Sequence, residues 1–156
     1  MAEITHLDHT GYMELALKEA AQAAALGEVP IGAVVVVENG NILASAGNRS
    51  VTYSDPTAHA EILALRKAGE MINNYRLIGT SIYVTLEPCA MCMGAMVHAR
   101  VTNLFFAALD PKTGAVISQY EIGRDGKLNH NIKVEYGILA KESSELLSRF
   151  FIERRK

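Results

Sequence analysis

A chain of 156 residues, 49% hydrophobic and 21% charged, has the length of one domain (residues 1–156) and the composition of a packed core, which excludes a disordered or fibrous protein. Its formal charge of −2 offers no global attraction to nucleic acid, yet residues 1–30 hold one Lys against five acidic residues and residues 127–156 hold seven Lys or Arg against four Glu. Residues 31–37, the longest apolar run, fall far short of a membrane span, and the first residues show no secretory pattern, so a cytoplasmic protein without a membrane partner is expected.

In chain order, a first helix is predicted over about residues 12–26, with Met13, Leu17, Ala20 and Ala24 on one face and Gly27 as its stop. Residues 31–37 read as a buried strand, and Asn39-Gly40 as a hairpin turn into a second strand at 42–46. Polar residues 48–55 form a loop. Asp55-Pro56-Thr57 offers an Asp cap with Pro at the first helical position, or a Thr cap, for a helix to about residue 67. Residues 81–86 are β-rich, and Pro88 opens a short apolar helix to about residue 98 in which Met91, Met93 and Met96 are expected in the core. Strands follow at 101–107 and 132–138. A last helix at 140–154 sets Leu146 over Phe150 and Leu147 over Phe151. An opening hairpin followed by alternating helices and strands implies a three-layer α/β/α fold around a five-stranded mixed sheet.

Three stretches carry chemistry: the loop around Asn48, then His59-Ala60-Glu61, then Pro88-Cys89-Ala90-Met91-Cys92. Two cysteines three apart make no secreted disulfide framework; in a reducing compartment they read as metal-binding or redox. At i and i+3 of one helix both sulfurs face the same side, and a helix N-terminus favours the thiolate that ligates. His59 also sits at a helix start, and helices rising from neighbouring strands converge where open α/β sheets place ligands. A structural zinc takes four protein ligands, but the chain has no third cysteine, and the other histidines are His6, His9, His98 and His130, with His98 on another face of its helix. Three ligands plus one open position is the arrangement of a catalytic Zn²⁺, which lowers the pKa of a bound water towards about 7. Glu61, two residues from His59, is then placed to handle protons without ligating.

His-x-Glu followed by Pro-Cys-x-x-Cys is the signature of the zinc nucleobase deaminases. Beyond the metal motif, the chain resembles the bacterial tRNA-specific adenosine deaminases at Gly27-Glu-Val-Pro-Ile-Gly-Ala-Val, Asp55-Pro-Thr-Ala-His-Ala-Glu, Tyr83-Val-Thr-Leu-Glu-Pro-Cys, Gly94-Ala-Met-Val-His-Ala-Arg, Asp110-Pro-Lys-Thr-Gly, Leu128-Asn-His and Leu147-Ser-Arg-Phe-Phe. The resemblance implies a cytidine-deaminase-like fold, a homodimer, and conversion of adenosine to inosine at the wobble position of a tRNA anticodon. It assigns the metal to His59, Cys89 and Cys92 and proton transfer to Glu61. Asn48 and the backbone of Ala60 would meet the flipped base, with Val29 and Pro30 lining its pocket. Asp110 and Lys112 would hold flanking nucleotides, and Phe151 with the last basic residues, Arg154 among them, would contact the anticodon loop.

Two positions depart from the family pattern. Ile117-Ser-Gln-Tyr replaces a smaller, glycine-containing stretch, and Arg149 stands where a well-known member carries an acidic residue. A deaminase of free guanine or cytosine shares the metal motif without needing a basic tail, and a zinc-stabilised RNA-binding module is the alternative outside enzymes. The local readings also stay open: Asn48 as a turn residue, Asp110 and Lys112 as turn formers, Phe150 and Phe151 as core.

Overall fold

The computed structural model describes residues 8–155, and His6 and Lys156 lie outside them. The elements are α1 (His9–Ala25), β1 (Gly32–Val36), β2 (Ile42–Gly47), α2 (Ala60–Ile72), β3 (Ser81–Leu86), α3 (Ala90–Ala99), β4 (Asn103–Ala108), β5 (Lys133–Tyr136) and α4 (Ala140–Arg154). The sheet has the order β2-β1-β3-β4-β5. Strand β1 is antiparallel to both β2 and β3, while β3, β4 and β5 run parallel. Strands β2 to β5 therefore all point one way. This is the expected mixed five-stranded sheet.

Helices α2 and α3 cover one face, where Ala33, Val35, Ile82, Val84, Leu104 and Phe106 pack against Ile62, Met93, Met96 and Val97. Helices α1 and α4 cover the other, where Val34, Val36, Tyr83 and Phe105 meet Met13 and Ala16. The alternation along β1, β3 and β4 gives each face its own core, each fully buried large side chain there contributing roughly 1.5–3 kcal/mol. Gly32 lets α1 lie directly on the sheet, since a Cβ there would overlap the Ala16 carbonyl.

Several predicted boundaries move. α1 starts at His9 because the Asp8 side chain accepts from the Gly11 N–H, and its buried face is Met13, Ala16, Ala20 and Ala23 rather than the Leu17 and Ala24 stripe. α2 begins at neither Asp55 nor Thr57. The Asp55 carboxylate is used up in a local turn, accepting from the N–H and hydroxyl of Thr57, and the helix opens with His59 as its N-cap. Pro88 likewise precedes α3 instead of opening it, because Cys89 is extended and occupies the N-cap. Met93 and Met96 are core, but Met91 is exposed.

Candidate metal centre and its rim

The direction of the strands decides where the site lies. Chain leaves β2, β3 and β4, and enters β1, at one edge of the sheet. Residues 27–31, 48–59, 87–89 and 109–118 therefore gather there, at the carboxyl ends of the parallel strands.

His59 and Cys89 hold equivalent posts, each the N-cap of a helix and each without the side-chain capping bond usual at that position. Their side chains turn to one another instead. His59 Nδ1 lies 3.6 Å from Cys89 Sγ and 3.5 Å from Cys92 Sγ. A tetrahedral Zn²⁺ with ordinary Zn–N and Zn–S bonds separates its nitrogen and sulfur ligands by about 3.6 Å. The residues fit the ion. Among the described residues these are the only three His, Cys, Asp or Glu side chains whose ligand atoms cluster within 4.8 Å of one another. His9 is bonded to the Tyr83 hydroxyl, His130 to the Val101 carbonyl, and His98 is exposed.

Electrostatics support the donor set. Hydrogen bonding from Cys92 outweighs burial and draws the Cys89 thiol down to about 4, with His59 assisting. Cys92 is pushed up, first by its bond to Cys89 and then by burial. Only thiolates ligate, so binding a divalent cation releases whatever protons the two sulfurs carry. His59 is raised, chiefly by its bond to Cys89.

Glu61 lies in the first turn of α2, only 4% exposed. Burial lifts its carboxyl to about 6, against its own backbone N–H and His59, which lower it. It stands beside Cys92 but outside the ligand cluster, as expected of a proton carrier rather than a ligand. Asn48 is buried, and its Oδ1 accepts from the Ala60 N–H at 2.7 Å. Of the Ala60 backbone that the resemblance offers to the base, the N–H is committed to Asn48. Val29 and Pro30 lie in the neighbouring segment, which is tied to Asn48 by a bond from its N–H to the Ile31 carbonyl.

The outer residues divide. The Asp110 carboxylate accepts from Lys112 N–H, Thr113 N–H and the Thr113 hydroxyl, so it closes its own turn, while the Lys112 side chain is exposed. Phe150 is buried and Phe151 exposed. Arg154 lies over the Phe150 ring and donates to the Gly27 carbonyl at 3.3 Å, which brings the end of α4 to the Val29–Pro30 segment. Arg149 and Arg155 are exposed.

Two buried carboxylates escaped the sequence reading. Glu28, 1% exposed, accepts from the N–H groups of Val51 and Thr52 and from the Thr52 hydroxyl, fixing the start of the loop that leads to His59. Burial raises its pKa, but the Thr52 and Val51 bonds outweigh that and hold it below the ordinary value. Glu87, 3% exposed, accepts from the loop after β4, and its bonds to Ser118, Ile117 and Asp110 likewise outweigh burial. The signal was present in the sequence: each is a lone acid among apolar residues, in Gly-Glu-Val-Pro-Ile and Leu-Glu-Pro-Cys.

Comparison with known proteins agrees with this geometry. Residues 7–108 match the family model of the cytidine and deoxycytidylate deaminase zinc-binding region. The tRNA-specific adenosine deaminase of Haemophilus influenzae is 51% identical over 144 residues, spanning 92% of this chain and 83% of the relative. That of Bacillus subtilis is 45% identical, spanning 93% of this chain and 89% of its own. Among solved structures, one from work on A-to-I editing by tRNA:A34 deaminases at the wobble position of transfer RNA superposes with a TM-score of 0.85 at 46% identity, covering 88% of this chain and 99% of that one. A guanine deaminase from Nitrosomonas europaea superposes with a TM-score of 0.76 at 25% identity, covering 90% of this chain and 83% of that one.

Proposed function

The chain belongs to the cytidine and deoxycytidylate deaminase zinc-binding family, among its tRNA-specific adenosine deaminases, and on that premise we propose that it converts the wobble adenosine of a tRNA anticodon to inosine. It is a zinc-dependent hydrolytic deaminase, with its zinc held by His59, Cys89 and Cys92 in our reading. Residues 1–156 act as a single domain.

When bound, zinc supplies a water acidified towards neutral pH, the nucleophile a hydrolytic deamination needs. The rest falls to the chain. The Glu61 carboxylate takes the proton shed during attack on C6 of adenine and returns it to the amine, which leaves as ammonia. Its burial supports this role, since a carboxylate shielded from water hands its proton to the substrate rather than to solvent. Asn48, with its oxygen bound to the Ala60 N–H, keeps its amide N–H₂ to donate to the base. Val29 and Pro30 flank the ring. An anticodon loop is already unpaired, so extruding its base costs less than in a duplex. Lys112, Phe151, Arg149 and Arg155 supply exposed cations and an aromatic face to the flanking nucleotides, whereas Asp110 closes the turn that carries Lys112 and Arg154 holds the Gly27 carbonyl beside Val29 and Pro30.

One observation favours tRNA adenosine over a free base: the likeness to tRNA-specific adenosine deaminases, at 45–51% identity, is far stronger than the 25% shared with the guanine deaminase. The test is ammonia release from an anticodon stem-loop, adenosine, guanine and cytosine under one set of conditions. Release from the stem-loop supports the reading, and release from guanine alone replaces it.

The chain acts as a homodimer in the cytoplasm. No helix among the described residues is long and apolar enough to cross a membrane. A groove between α2 and α3, lined by the apolar Ile62, Leu65, Ala95 and Ala99 and by the polar Arg66, Glu70, Asn73 and Asn74, with Tyr75 exposed, is the face we assign to the second copy. Light scattering should give twice the chain mass, and Leu65→Arg should halve it.

A further inference from the structure

Glu87 stands between the end of β3 and Cys89, and its carboxylate is engaged by the loop after β4. One of its oxygens accepts from the Asp110 N–H at 3.0 Å and from the Ser118 hydroxyl. The other accepts from the N–H groups of Val116, Ile117 and Ser118 at 3.1, 2.8 and 2.9 Å. Five donors from one loop thus converge on a single carboxylate. The loop is gripped at both ends, at 110 and at 116–118, and the exposed residues Pro111, Lys112 and Thr113 project between the grips.

Two further contacts show that the loop is built around this acid. A Cβ at Gly114 would overlap the Glu87 carboxylate, so the loop closes over it only with glycine there. The Ala115 N–H donates to the Pro88 carbonyl at 2.9 Å, binding the loop to the peptide immediately before Cys89. Four of the five donors to Glu87 are backbone groups and the fifth is Ser118. The Ile117–Tyr120 departure from the family pattern therefore leaves the clasp intact.

We propose that Glu87 is a positioning residue, a latch that fixes the 110–118 loop relative to the metal ligands and so sets where Lys112 meets the nucleotide next to the reacting base. It touches neither substrate nor metal. The substrate half of this inference rests on the tRNA reading above; the latch does not.

Glu87→Gln keeps the shape but points an amide N–H₂ at donors that need acceptors. Amide hydrogen exchange in the 110–118 segment should then accelerate at least tenfold, with zinc content held at about one per chain. With an anticodon stem-loop, KM should rise about tenfold or more while kcat falls less than about threefold. Gly114→Ala presses on the same latch from the loop side and should give the same split; it also serves if Glu87→Gln does not fold. Unchanged exchange in the loop overturns the latch whatever the substrate proves to be. Faster exchange with unchanged KM, a fall confined to kcat, or loss of zinc in parallel overturns its positioning role. A wild-type enzyme inactive on the stem-loop removes the tRNA reading instead, and exchange still judges the latch.

Discussion

The three candidate ligands, His59, Cys89 and Cys92, and the residues around them are held in different ways. His59 and Cys89 cap helices, and Cys92 lies one turn into α3, so their positions follow from how α2 and α3 pack on the sheet. The rim has no such scaffold. Residues 27–31, 48–58 and 109–118 are loops, and their paths are set by side chains reaching backbone N–H groups: Glu28 to Val51 and Thr52, Asn48 to Ala60, and Glu87 to the loop after β4. Chemistry that tolerates little displacement stands on helices, while recognition stands on segments held by a few strong bonds. Damage to the first should abolish the reaction; damage to the second should weaken binding or stability and spare the chemistry.

The largest effect expected is at the centre. Cys92→Ala should remove most of the zinc found by metal analysis, abolish ammonia release and lower the melting temperature, because the ion joins two helices in the folded state only. Full retention of zinc would place the ion elsewhere. Next comes Glu61→Ala, which should lower kcat by about 10²–10⁴ with zinc and melting temperature kept. Parallel loss of metal would make Glu61 a ligand and erase the distinction between holding the ion and moving the proton.

On the rim, Glu28→Gln should cost about 1–3 kcal/mol at neutral pH by placing an amide in a buried site built for a carboxylate and leaving the Val51 and Thr52 N–H groups poorly paired. The sign of its pH dependence follows from its lowered pKa. The stabilisation is complete above the ordinary value of 4.5 and disappears as pH falls through the folded-state value. Denaturant melts of wild type and variant should therefore converge in acid; a constant gap down to pH 3 would assign the effect to packing. The smallest effect is expected from removing Arg155 and Lys156, which should flatten the salt dependence of stem-loop binding by up to roughly 0.7 in log–log slope per lost phosphate contact. Removing Arg154 as well should do more, since it holds the Gly27 carbonyl and with it the Val29–Pro30 segment.

The three layers, the five-stranded mixed sheet and the cluster of His59, Cys89 and Cys92 were legible in the sequence because apolar runs and ligand spacing are local signals. The starts of α2 and α3 were not, and the reason is the site itself. A reader looking for capping residues stops at Asp55, Thr57 or Pro88, since metal ligands occupy the cap positions and forgo the capping bond. The local partners of Asp110 and Arg154 were not legible for a related reason. Both residue types suit nucleic acid, and only the fold shows Asp110 closing its own turn and Arg154 bound to Gly27. Glu28 and Glu87 depend on partners 23 to 31 residues away, a distance at which no periodicity carries information.

The clasp on Glu87 also bears on how such an enzyme changes over generations. A loop whose course is specified largely by its peptide groups leaves its outermost side chains unconstrained: Gly114 must stay small, Ser118 and Gln119 add bonds of their own and Ile117 packs against the core, but the exposed Lys112 and Tyr120 are free to vary. Natural drift or a combinatorial library at these two positions can alter what the surface beside the active centre presents to RNA while the loop keeps its shape. Fixed course and variable lettering are the conditions under which specificity is retuned without first being lost.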